Sequence, residues 1–322
     1  MLTHDLASSS KNLGLVAASF RGGQLKPGVE KGPKEFLSAG LVRELSDLQY
    51  VVHGDIRPEI LRELRPPVGK DEQYRGMRKP RLVSAATKEI AQKVYDHAMA
   101  GRFVLTLGGD HSIGIGTVAG MARAVGQRRG EQGHLSVIWV DAHADLNTPE
   151  SSSSGNIHGM PLAFLTGLAT SDHLGIFDWL GDDCRIKFDK LVYVGVRDLD
   201  DCEKETIRSR GIRAFSIHDV ERDGIKQVMD SALSYIGPES PIHLGFDIDA
   251  LDPYWAPSTG MPTEQGMTLR ECCVVASRLH QTGRLVGMDV VEVNPEIQPE
   301  GSSRTIQSGI SVIKSALGHS LL

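Results

Sequence analysis

The sequence predicts an α/β fold in which a mostly parallel sheet is covered by helices on both faces. Short apolar, strand-like runs alternate with longer amphipathic segments along the chain, and this alternation is typical of parallel sheets. The chain has 322 residues, 40% of them hydrophobic, so it can bury a substantial core. It contains no internal repeat, linker or break in composition, and we therefore expect one domain over residues 1–322.

The first elements are predicted from two apolar runs and one proline. The run at Asn12–Ala18 predicts the first strand, and Pro33 is suited to the first turn of a helix at 33–45. A second strand is predicted at 48–53. From 57 to 81 the pattern fails, because prolines and scattered charges there predict a long surface excursion.

The middle of the chain alternates between helix and strand. A helix is predicted at 82–100 because apolar residues such as Val83, Ile90 and Val94 recur at helical spacing. It is followed by a short buried strand at 103–107, a helix that ends near Val125 and the apolar strand Ser136–Val140. A serine-rich loop at 150–156 then leads into a helix that begins near residue 159.

The remaining elements continue the same alternation to the end of the chain. Further strands are predicted at Leu191–Val196, 212–216, 241–247 and Leu285–Val291. The helices predicted around them span 203–210, 219–235, 268–281 and 304–317. Residues 253–267 are rich in turn-forming residues and are predicted to form a loop.

Composition excludes several classes of function. The net charge of −6 leaves no electrostatic footprint for nucleic acid or an anionic membrane. No apolar run reaches the roughly 18 residues that would span a bilayer, and residues 1–11 show no signal or transit pattern. The four cysteines form no CxxC motif, so they support neither a disulfide framework nor a zinc knuckle. We expect a cytoplasmic protein that binds neither nucleic acid nor membrane.

The stretch after Ser136–Val140 has potential metal ligands at every second position. Asp141, His143 and Asp145 would share one face of an extended strand. Two carboxylates and an imidazole that converge at the end of a buried strand are costly unless a positive charge lies between them. From this stretch alone, the alternative is a polar turn whose side chains face water.

Other predicted strands also end in polar residues. Ligands of parallel α/β sheets bind outside the carboxyl ends of the strands, where the loops leave the core. The residues at these ends are Asp110 and His111 after the strand at 103–107, Asp247, Asp249 and Asp252 after the strand at 241–247, and Glu292 after Leu285–Val291. We therefore expect these groups to lie near Asp141, His143 and Asp145.

The composition of this cluster predicts a pair of divalent cations. Its members are His111, Asp141, His143, Asp145, Asp247 and Asp249. Four carboxylates match the charge of two divalent cations and would repel one another without them. Mostly oxygen ligands with one imidazole per metal favour Mn²⁺ over a thiolate-type zinc site. Such sites lower the pKa of a bound water from about 15.7 toward 7. A nucleotide-binding interpretation of the glycines near 108–116 is weaker because their spacing lacks the full fingerprint.

Five short motifs occur in the chain in this order: Gly108-Gly109-Asp110-His111-Ser112, Asp141-Ala142-His143-Ala144-Asp145, Ser154-Gly155-Asn156-Ile157-His158-Gly159, Phe246-Asp247-Ile248-Asp249-Ala250-Leu251-Asp252-Pro253 and Glu292-Val293-Asn294-Pro295. Together they make the chain similar to the arginases of the ureohydrolase family over nearly its whole length. The resemblance implies a three-layer α/β/α fold around an eight-stranded, mostly parallel sheet, with two Mn²⁺ per subunit. It also implies hydrolysis of L-arginine to L-ornithine and urea by a hydroxide that bridges the metals.

The resemblance further implies a role for each residue of the cluster. One metal would be held by His111, Asp141, Asp145 and Asp247. The other would be held by His143, Asp141, Asp247 and Asp249, so that Asp141 and Asp247 bridge the two. Asp145 would also orient the hydroxide, Glu292 would hold the guanidinium group, and His158 would protonate the leaving amine. A carboxylate suits a planar cation, and an imidazole that titrates near neutrality suits proton transfer.

The α-substituents of the substrate distinguish the members of the family. By resemblance, Asn147, Ser152 and Ser154 would bind the α-carboxylate, while Asp200, with Glu203 behind it, would lie near the α-amino group. An agmatinase would lack the serine-loop pattern, but an agmatinase-type or guanidinobutyrase-type hydrolase remains the alternative enzyme. A module that holds metal for structure or storage is the alternative of another class, and Glu292 with His158 argues against it.

One motif departs from the family pattern. Where the family commonly has Thr-Gly-Thr-Pro, this chain has Thr259-Gly260-Met261-Pro262. The thioether of Met261 cannot donate a hydrogen bond, so we expect weaker substrate binding or a shifted guanidino preference, with the chemistry retained. Family members commonly associate, and the resemblance therefore implies a homo-oligomer, either a trimer or a hexamer.

Overall fold

The protein forms a twisted sheet of eight strands, all of them parallel. We describe a computed structural model that covers residues 11–130, 133–171 and 173–319. The strands are β1 Asn12–Ala18, β2 Val51–Gly54, β3 Phe103–Gly108, β4 Ser136–Val140, β5 Leu191–Val196, β6 Arg213–Ser216, β7 Ile242–Asp247 and β8 Leu285–Val291. Their order across the sheet is β2-β1-β3-β8-β7-β4-β5-β6, and every paired strand runs parallel to its neighbour. The predicted sheet is therefore confirmed.

Helices cover both faces of the sheet. The α-helices are Gly32–Ser38, Leu41–Asp47, Pro80–Met99, Gly114–Arg129, Pro161–Leu165, Asp201–Arg210, Ile217–Asp223, Ile225–Ile236, Leu269–Gln281 and Pro299–Ala316. Alternate residues of β4 point to opposite faces, so Val137 and Trp139 belong to one buried apolar cluster and Ile138 and Val140 to the other. Both clusters are lined by helices, and this arrangement confirms the three-layer α/β/α fold.

Two predicted helices are each divided by a glycine. The helix predicted at 33–45 is two helices that meet at Gly40, where φ is 92°. The helix predicted at 219–235 is likewise two helices that meet at Gly224, where φ is 77°. Glycine adopts positive φ at little steric cost. The apolar spacing continues across both breaks, and for this reason the periodicity did not reveal them.

Several element boundaries also differ from the predictions. The strand predicted at 48–53 is β2, which begins at Val51 and ends at Gly54, and the last helix begins at Pro299 instead of residue 304. Proline at the first turn explains the starts of Pro80–Met99 and Pro299–Ala316. The excursion at 57–81 contains a single short 3₁₀ turn, Pro58–Ile60, before the helix at Pro80.

The sheet topology brings the predicted site together. Strands β3, β8, β7 and β4 are neighbours in the middle of the sheet, and they are parallel, so their carboxyl ends meet at one edge. The segments that follow these four strands carry the polar motifs. No helix in the described ranges combines the length and the apolar character that a membrane span requires. The prediction about a signal or transit pattern falls almost entirely on residues 1–10, which lie outside the described ranges.

Candidate active site

Potential metal ligands at the edge of the sheet form two groups that share one residue. His111, Asp141 and Asp247 have ligand atoms within 4.8 Å of one another, and so do Asp141, His143 and Asp249. All of them are buried except His143, which is partly exposed. The shared member, Asp141, has no exposed surface. The two groups therefore form a continuous cluster at the ends of β4 and β7 and in the loop after β3.

Each oxygen of Asp141 faces a different histidine. Asp141 Oδ2 lies 3.1 Å from His111 Nδ1, and Asp141 Oδ1 lies 3.3 Å from His143 Nδ1. His111 Nδ1 is also 3.0 Å from Asp145 Oδ2 and 3.0 Å from Asp247 Oδ2. His143 Nδ1 is 3.3 Å from Asp249 Oδ2. This geometry is suited to Asp141 as a bridge between two cations. Asp247 belongs to the His111 group, and its predicted second bridge stays a prediction.

Backbone N–H groups donate a hydrogen bond to one oxygen each of Asp141, Asp247 and Asp249. Asp141 Oδ1 accepts a hydrogen bond of 2.7 Å from the His143 backbone. Asp247 Oδ1 accepts one of 2.8 Å from the Asp249 backbone, and Asp249 Oδ1 accepts one of 3.3 Å from that of Ala142. The side chains are therefore oriented by the turns that immediately follow β4 and β7.

The electrostatics of the cluster favour the binding of positive charge. Burial lowers the pKa of His111, but the three surrounding carboxylates outweigh this effect and hold it well above the usual value. Burial raises the pKa of Asp145 to about 6, and repulsion from Asp141 adds to the rise. Burial and repulsion from Asp249 raise the pKa of Asp247 well above its usual range. Without cations, protons must take up part of the negative charge of this cluster.

Several buried atoms of the cluster lack a hydrogen-bond partner among the described residues. His111 Nδ1 is close to three carboxylate oxygens, yet none of these contacts has the geometry of a hydrogen bond. Asp145 Oδ2 and His143 Nε2 are likewise without a partner. Lone pairs that converge without hydrogen bonds are what a bound metal requires of its ligands. The carboxylates and imidazoles present fit Mn²⁺, and neither group contains a cysteine.

Glu292 connects the metal-ligand cluster to His158. Its Oε1 accepts a hydrogen bond of 2.9 Å from the His111 backbone and lies 3.1 Å from His158 Nδ1. Burial lowers the pKa of His158, but Glu292 more than offsets it and raises the pKa to about 9. Burial alone would raise the pKa of Glu292, and the contact with His158 instead lowers it. The structure thus holds the His158 imidazole and the Glu292 carboxylate as a charged pair beside the cluster, with Glu292 buried and His158 partly buried.

Two residues of the site have left-handed backbone conformations. The φ angles are 50° at Asp145 and 61° at Glu292. Such a conformation costs about 1–2 kcal/mol in a residue that has a β-carbon. The Glu292 backbone is held by a hydrogen bond of 2.8 Å to Gly109 O, and Asp145 O accepts one of 3.0 Å from Leu162. Both turns direct a carboxylate back over the ends of the strands.

One cleft gathers almost all of the predicted site residues. Those that line it are His111, His143, Asp145, Asn147, Ser152, Ser154, His158, Asp200, Glu203, Asp247, Asp249 and Glu292. Asp141 is the predicted site residue that does not line the cleft, and it lies fully buried among the ligands. Met261 is 43% exposed and also lines the cleft. Its loop approaches Glu292, since Thr259 Oγ1 donates a hydrogen bond of 2.9 Å to Glu292 O.

The predicted substrate-binding residues Asn147 and Asp200 are connected by a hydrogen bond, and Ser152 and Ser154 bind the backbone of their own loop. Asn147 Nδ2 donates a hydrogen bond of 2.9 Å to Asp200 Oδ2, and Asn147 Oδ1 accepts one of 2.8 Å from Ser151 Oγ. Ser152 Oγ accepts the Gly155 N–H, and Ser154 Oγ accepts the Asn156 N–H. The serine-rich loop is therefore an ordered turn.

Glu203 accepts hydrogen bonds from two backbone N–H groups, one beside Asn147 and one at Asp200. Its Oε1 accepts a hydrogen bond of 2.9 Å from the Leu146 backbone, and its Oε2 accepts one of 3.0 Å from the Asp200 backbone. Asp200 and Glu203 form a capping box at the start of helix Asp201–Arg210. Glu203 thus ties the helix start to the segment that follows Asp145.

The sequence analysis missed one residue of the site, Asp198, and it placed Asp110 near the cluster without giving it a role. Asp198 lines the cleft, and its Oδ2 lies 3.7 Å from His143 Nε2. It follows the end of β5 by two residues, so the rule about the carboxyl ends of strands could have identified it. Asp110 is fully buried, and its Oδ2 accepts a hydrogen bond of 2.8 Å from Gly23. Burial raises the pKa of Asp110 to about 6. It supports the loop that carries His111.

Comparisons with known proteins agree with this geometry. The model of the Arginase family matches residues 11–318. The chain is 51% identical to an arginase from Emericella nidulans over 316 residues, which are 98% of this chain and 96% of that protein. A solved arginase from Bacillus caldovelox has a TM-score of 0.84 at 35% identity, covering 97% of this chain and 99% of that one. An Entamoeba histolytica arginase solved with L-ornithine has a TM-score of 0.84 at 30% identity, covering 97% and 100%.

Proposed function

The chain belongs to the arginase family, whose members are hydrolases that act on arginine, and from this premise we propose that it hydrolyses L-arginine to L-ornithine and urea with two Mn²⁺. The observation that carries the proposal is the pair of ligand groups that share Asp141 beneath the cleft. A related protein of similar fold has been solved with L-ornithine, the product that we propose. A single metal of structural purpose would not need two groups with a common carboxylate.

Six residues are proposed to hold the two cations. His111, Asp141, Asp145 and Asp247 would hold one, and His143, Asp141, Asp247 and Asp249 would hold the other. Two Mn²⁺ in this place would supply a water molecule of lowered pKa at neutral pH. Asp145 Oδ2 has no hydrogen-bond partner among the described residues, so it is free to accept a hydrogen bond from the attacking water.

Glu292 and His158 are proposed to act on the guanidinium group and its leaving nitrogen. Glu292 lies at the floor of the cleft with its pKa lowered, so it is a carboxylate that can accept hydrogen bonds from a planar cation. His158 is paired with it and holds a proton at neutral pH. It can therefore protonate the departing amine of ornithine as the C–N bond breaks.

The outer residues of the cleft are proposed to recognise the α-substituents of arginine. Asn147, Ser152 and Ser154 offer neutral donors for the α-carboxylate. Asp200 offers a negative charge for the α-amino group, and Glu203 fixes the helix start that carries it. Agmatine has no α-carboxylate, and 4-guanidinobutyrate has no α-amino group. Agmatine therefore tests the α-carboxylate end, while 4-guanidinobutyrate tests the α-amino end together with chain length, because its carboxylate is one carbon nearer the guanidinium group.

The test is urea release from these substrates with metal analysis of the same sample. We expect the purified protein with Mn²⁺ to contain two ions per chain and to give the highest kcat/KM with L-arginine. Preference for agmatine or 4-guanidinobutyrate would instead assign it to the related guanidino hydrolases. Bound metal without urea from any of the three would contradict enzymatic function. Ornithine must appear in equal amounts with urea.

Other properties are proposed on the same family membership. We propose one domain over residues 1–322, a homo-oligomer that is a trimer or a hexamer, and a cytoplasmic location without nucleic acid or membrane as partner. Sedimentation of the full chain with Mn²⁺ tests the assembly, and a monomer across micromolar concentrations would contradict it.

A further inference from the structure

The indole ring of Trp139 lies directly against the metal-ligand cluster. Trp139 is on β4, two residues before Asp141, and it has no exposed surface. Its ring stacks on the ring of His111 with centroids 4.1 Å apart and planes inclined by 8°. Its Nε1–H donates a hydrogen bond of 3.1 Å to Asp141 Oδ2. One side chain therefore contacts two proposed ligands that come from different strands.

Both contacts of Trp139 are on the same side of the cluster. The Asp141 oxygen that accepts its N–H is the one that faces His111, whereas the other oxygen faces His143. Trp139 thus contacts His111 and the oxygen of Asp141 that faces His111. Its effect should be larger on one cation than on the other.

No hydrogen bond among the described residues fixes the ring orientation of His111. A histidine that binds metal through one ring nitrogen usually donates a hydrogen bond from the other, and this bond fixes the ring plane. His111 Nε2 is buried and has no hydrogen-bond partner among the described residues. The parallel stack with Trp139 is a contact that can hold the plane of the imidazole.

Two glycines make room for the indole and restrict its position. A β-carbon at Gly245, the residue opposite Trp139 on β7, would lie 2.4 Å from Trp139 Cε3. A β-carbon at Gly114, at the start of helix Gly114–Arg129, would lie 2.9 Å from Cη2. Real β-carbons do not approach that closely. The indole thus lies between β7 and this helix, which restrict its position beside His111.

We propose that Trp139 is a positioning residue for the metal centre. It fixes the ring plane of His111 by stacking and one oxygen of Asp141 by its N–H, and it thereby sets the affinity for the cation on the His111 side. The inference rests on the two-metal centre of the proposed function. It assigns Trp139 no contact with substrate.

The test measures Mn²⁺ affinity directly, without turnover. Metal-free protein is titrated with Mn²⁺ in a calorimeter for the wild type and four variants. Trp139→Phe keeps an aromatic ring but removes the N–H, while Trp139→Leu removes both contacts. Gly245→Ala displaces the ring without removing a polar group. Trp179→Phe is the matched control, because it removes an indole hydrogen bond to Ser84 O, which is not a residue of the cleft.

We expect Trp139→Phe to weaken one of the two Mn²⁺ sites by about 10- to 100-fold, as is typical for loss of a group that supports a metal ligand. Trp139→Leu and Gly245→Ala should weaken the same site at least as much, and Trp179→Phe should bind both ions as the wild type does. Urea unfolding of the metal-free forms separates this effect from stability. A purely structural role would lower the free energy of unfolding and leave the Mn²⁺ affinities unchanged.

The outcomes distinguish this inference from the proposed function. Unchanged affinity at both sites in Trp139→Phe and in Gly245→Ala would overturn the role of Trp139 and leave the metal centre intact. A wild-type protein that binds no Mn²⁺ would overturn the proposed metal centre itself. If Trp139→Leu does not fold, the other two variants decide the question.

Discussion

At Glu292, one carboxylate oxygen serves the metal-ligand loop and the histidine of the cleft at once. Oε1 accepts the His111 N–H and contacts His158 Nδ1. Both contacts would remain available to a glutamine, whose side-chain oxygen is also an acceptor. Glutamine has no negative charge, however, and it cannot hold a guanidinium cation as a carboxylate does. The isosteric change therefore separates the structural contacts of Glu292 from its charge.

We predict that Glu292→Gln retains both metals and loses most arginine hydrolysis. Removing one member of a buried, hydrogen-bonded charge pair costs about 2–5 kcal/mol. We expect kcat/KM for arginine to fall by a factor equivalent to this free energy. Metal analysis and steady-state urea release on the same preparation check the prediction. A rate near that of the wild type would exclude the proposed role of Glu292, while loss of metal would show that the carboxylate mainly supports His111.

The same variant should change the pH dependence of turnover. Glu292 raises the pKa of His158 to about 9, so His158 stays protonated, and able to act as an acid, up to that pH. Without this carboxylate, burial dominates and the pKa of His158 falls. The alkaline limb of the kcat/KM profile, which reports the free enzyme, should therefore move to lower pH in Glu292→Gln. An alkaline limb at the same pH in both proteins would mean that another group is the acid.

Met261 presents an apolar thioether in a cleft that is otherwise largely polar. A threonine there could offer a hydroxyl toward the bound guanidinium or Glu292, and one hydrogen bond is worth about 0.5–1.5 kcal/mol. We predict that Met261→Thr raises kcat/KM for arginine by a factor equivalent to this free energy and leaves the metal content unchanged. Met261→Leu controls for the loss of the thioether. Identical kinetics for the threonine, leucine and wild-type proteins, with arginine and its analogues alike, would contradict the prediction.

At the scale of elements, the start of helix Asp201–Arg210 organises the outer end of the cleft. Its capping residues, Asp200 and Glu203, are bound to Asn147 and to the Leu146 backbone. A short helix thus carries the proposed α-amino site and is tied to the segment just after Asp145, a proposed ligand. Hydrogen bonds therefore join the proposed α-site to the backbone beside Asp145.

We predict that Asp200→Asn reduces catalysis on arginine but not on 4-guanidinobutyrate, which has no α-amino group. Asparagine is as good an N-cap as aspartate, so the helix start should persist. Hydrogen bonds to charged groups contribute about 1.5–3 kcal/mol, and kcat/KM for arginine should fall correspondingly. Equal losses on both substrates would indicate that Asp200 acts through the fold of the loop and not through the α-amino group.

Elements and ligands were predictable from sequence to different degrees, for physical reasons. The strands were recognisable because strands buried on both faces are continuous apolar runs, and the proposed ligands were selected because they follow strand ends. The breaks at Gly40 and Gly224 were not, since a glycine can continue a helix or end it. The contact of His158 with Glu292 joins residues 134 positions apart, and the stacking of Trp139 on His111 depends on side-chain packing. No local pattern encodes either.

At the scale of the whole molecule, the proposed ligands connect the centre of the sheet. They come from the segments after β3, β4 and β7, and Glu292 follows β8, which lies between β3 and β7. Bound cations would therefore join segments that are distant along the chain and adjacent in the fold. In the unfolded chain these ligands separate, so each bound cation favours the folded state through mass action.

We predict that the dependence of stability on free Mn²⁺ counts the ions. Each site adds RT ln(1 + [L]/Kd) to the free energy of unfolding, so above both Kd values two sites raise it by about 2.7 kcal/mol per tenfold increase in Mn²⁺, and one site by about 1.4. Urea unfolding at several buffered Mn²⁺ concentrations, at one protein concentration, measures the slope. Asp249→Asn removes a ligand of the His143 group only, so its slope should fall to that of one site. A wild-type slope of one site would contradict the two-metal centre, because one of the two ligand groups would then hold no ion.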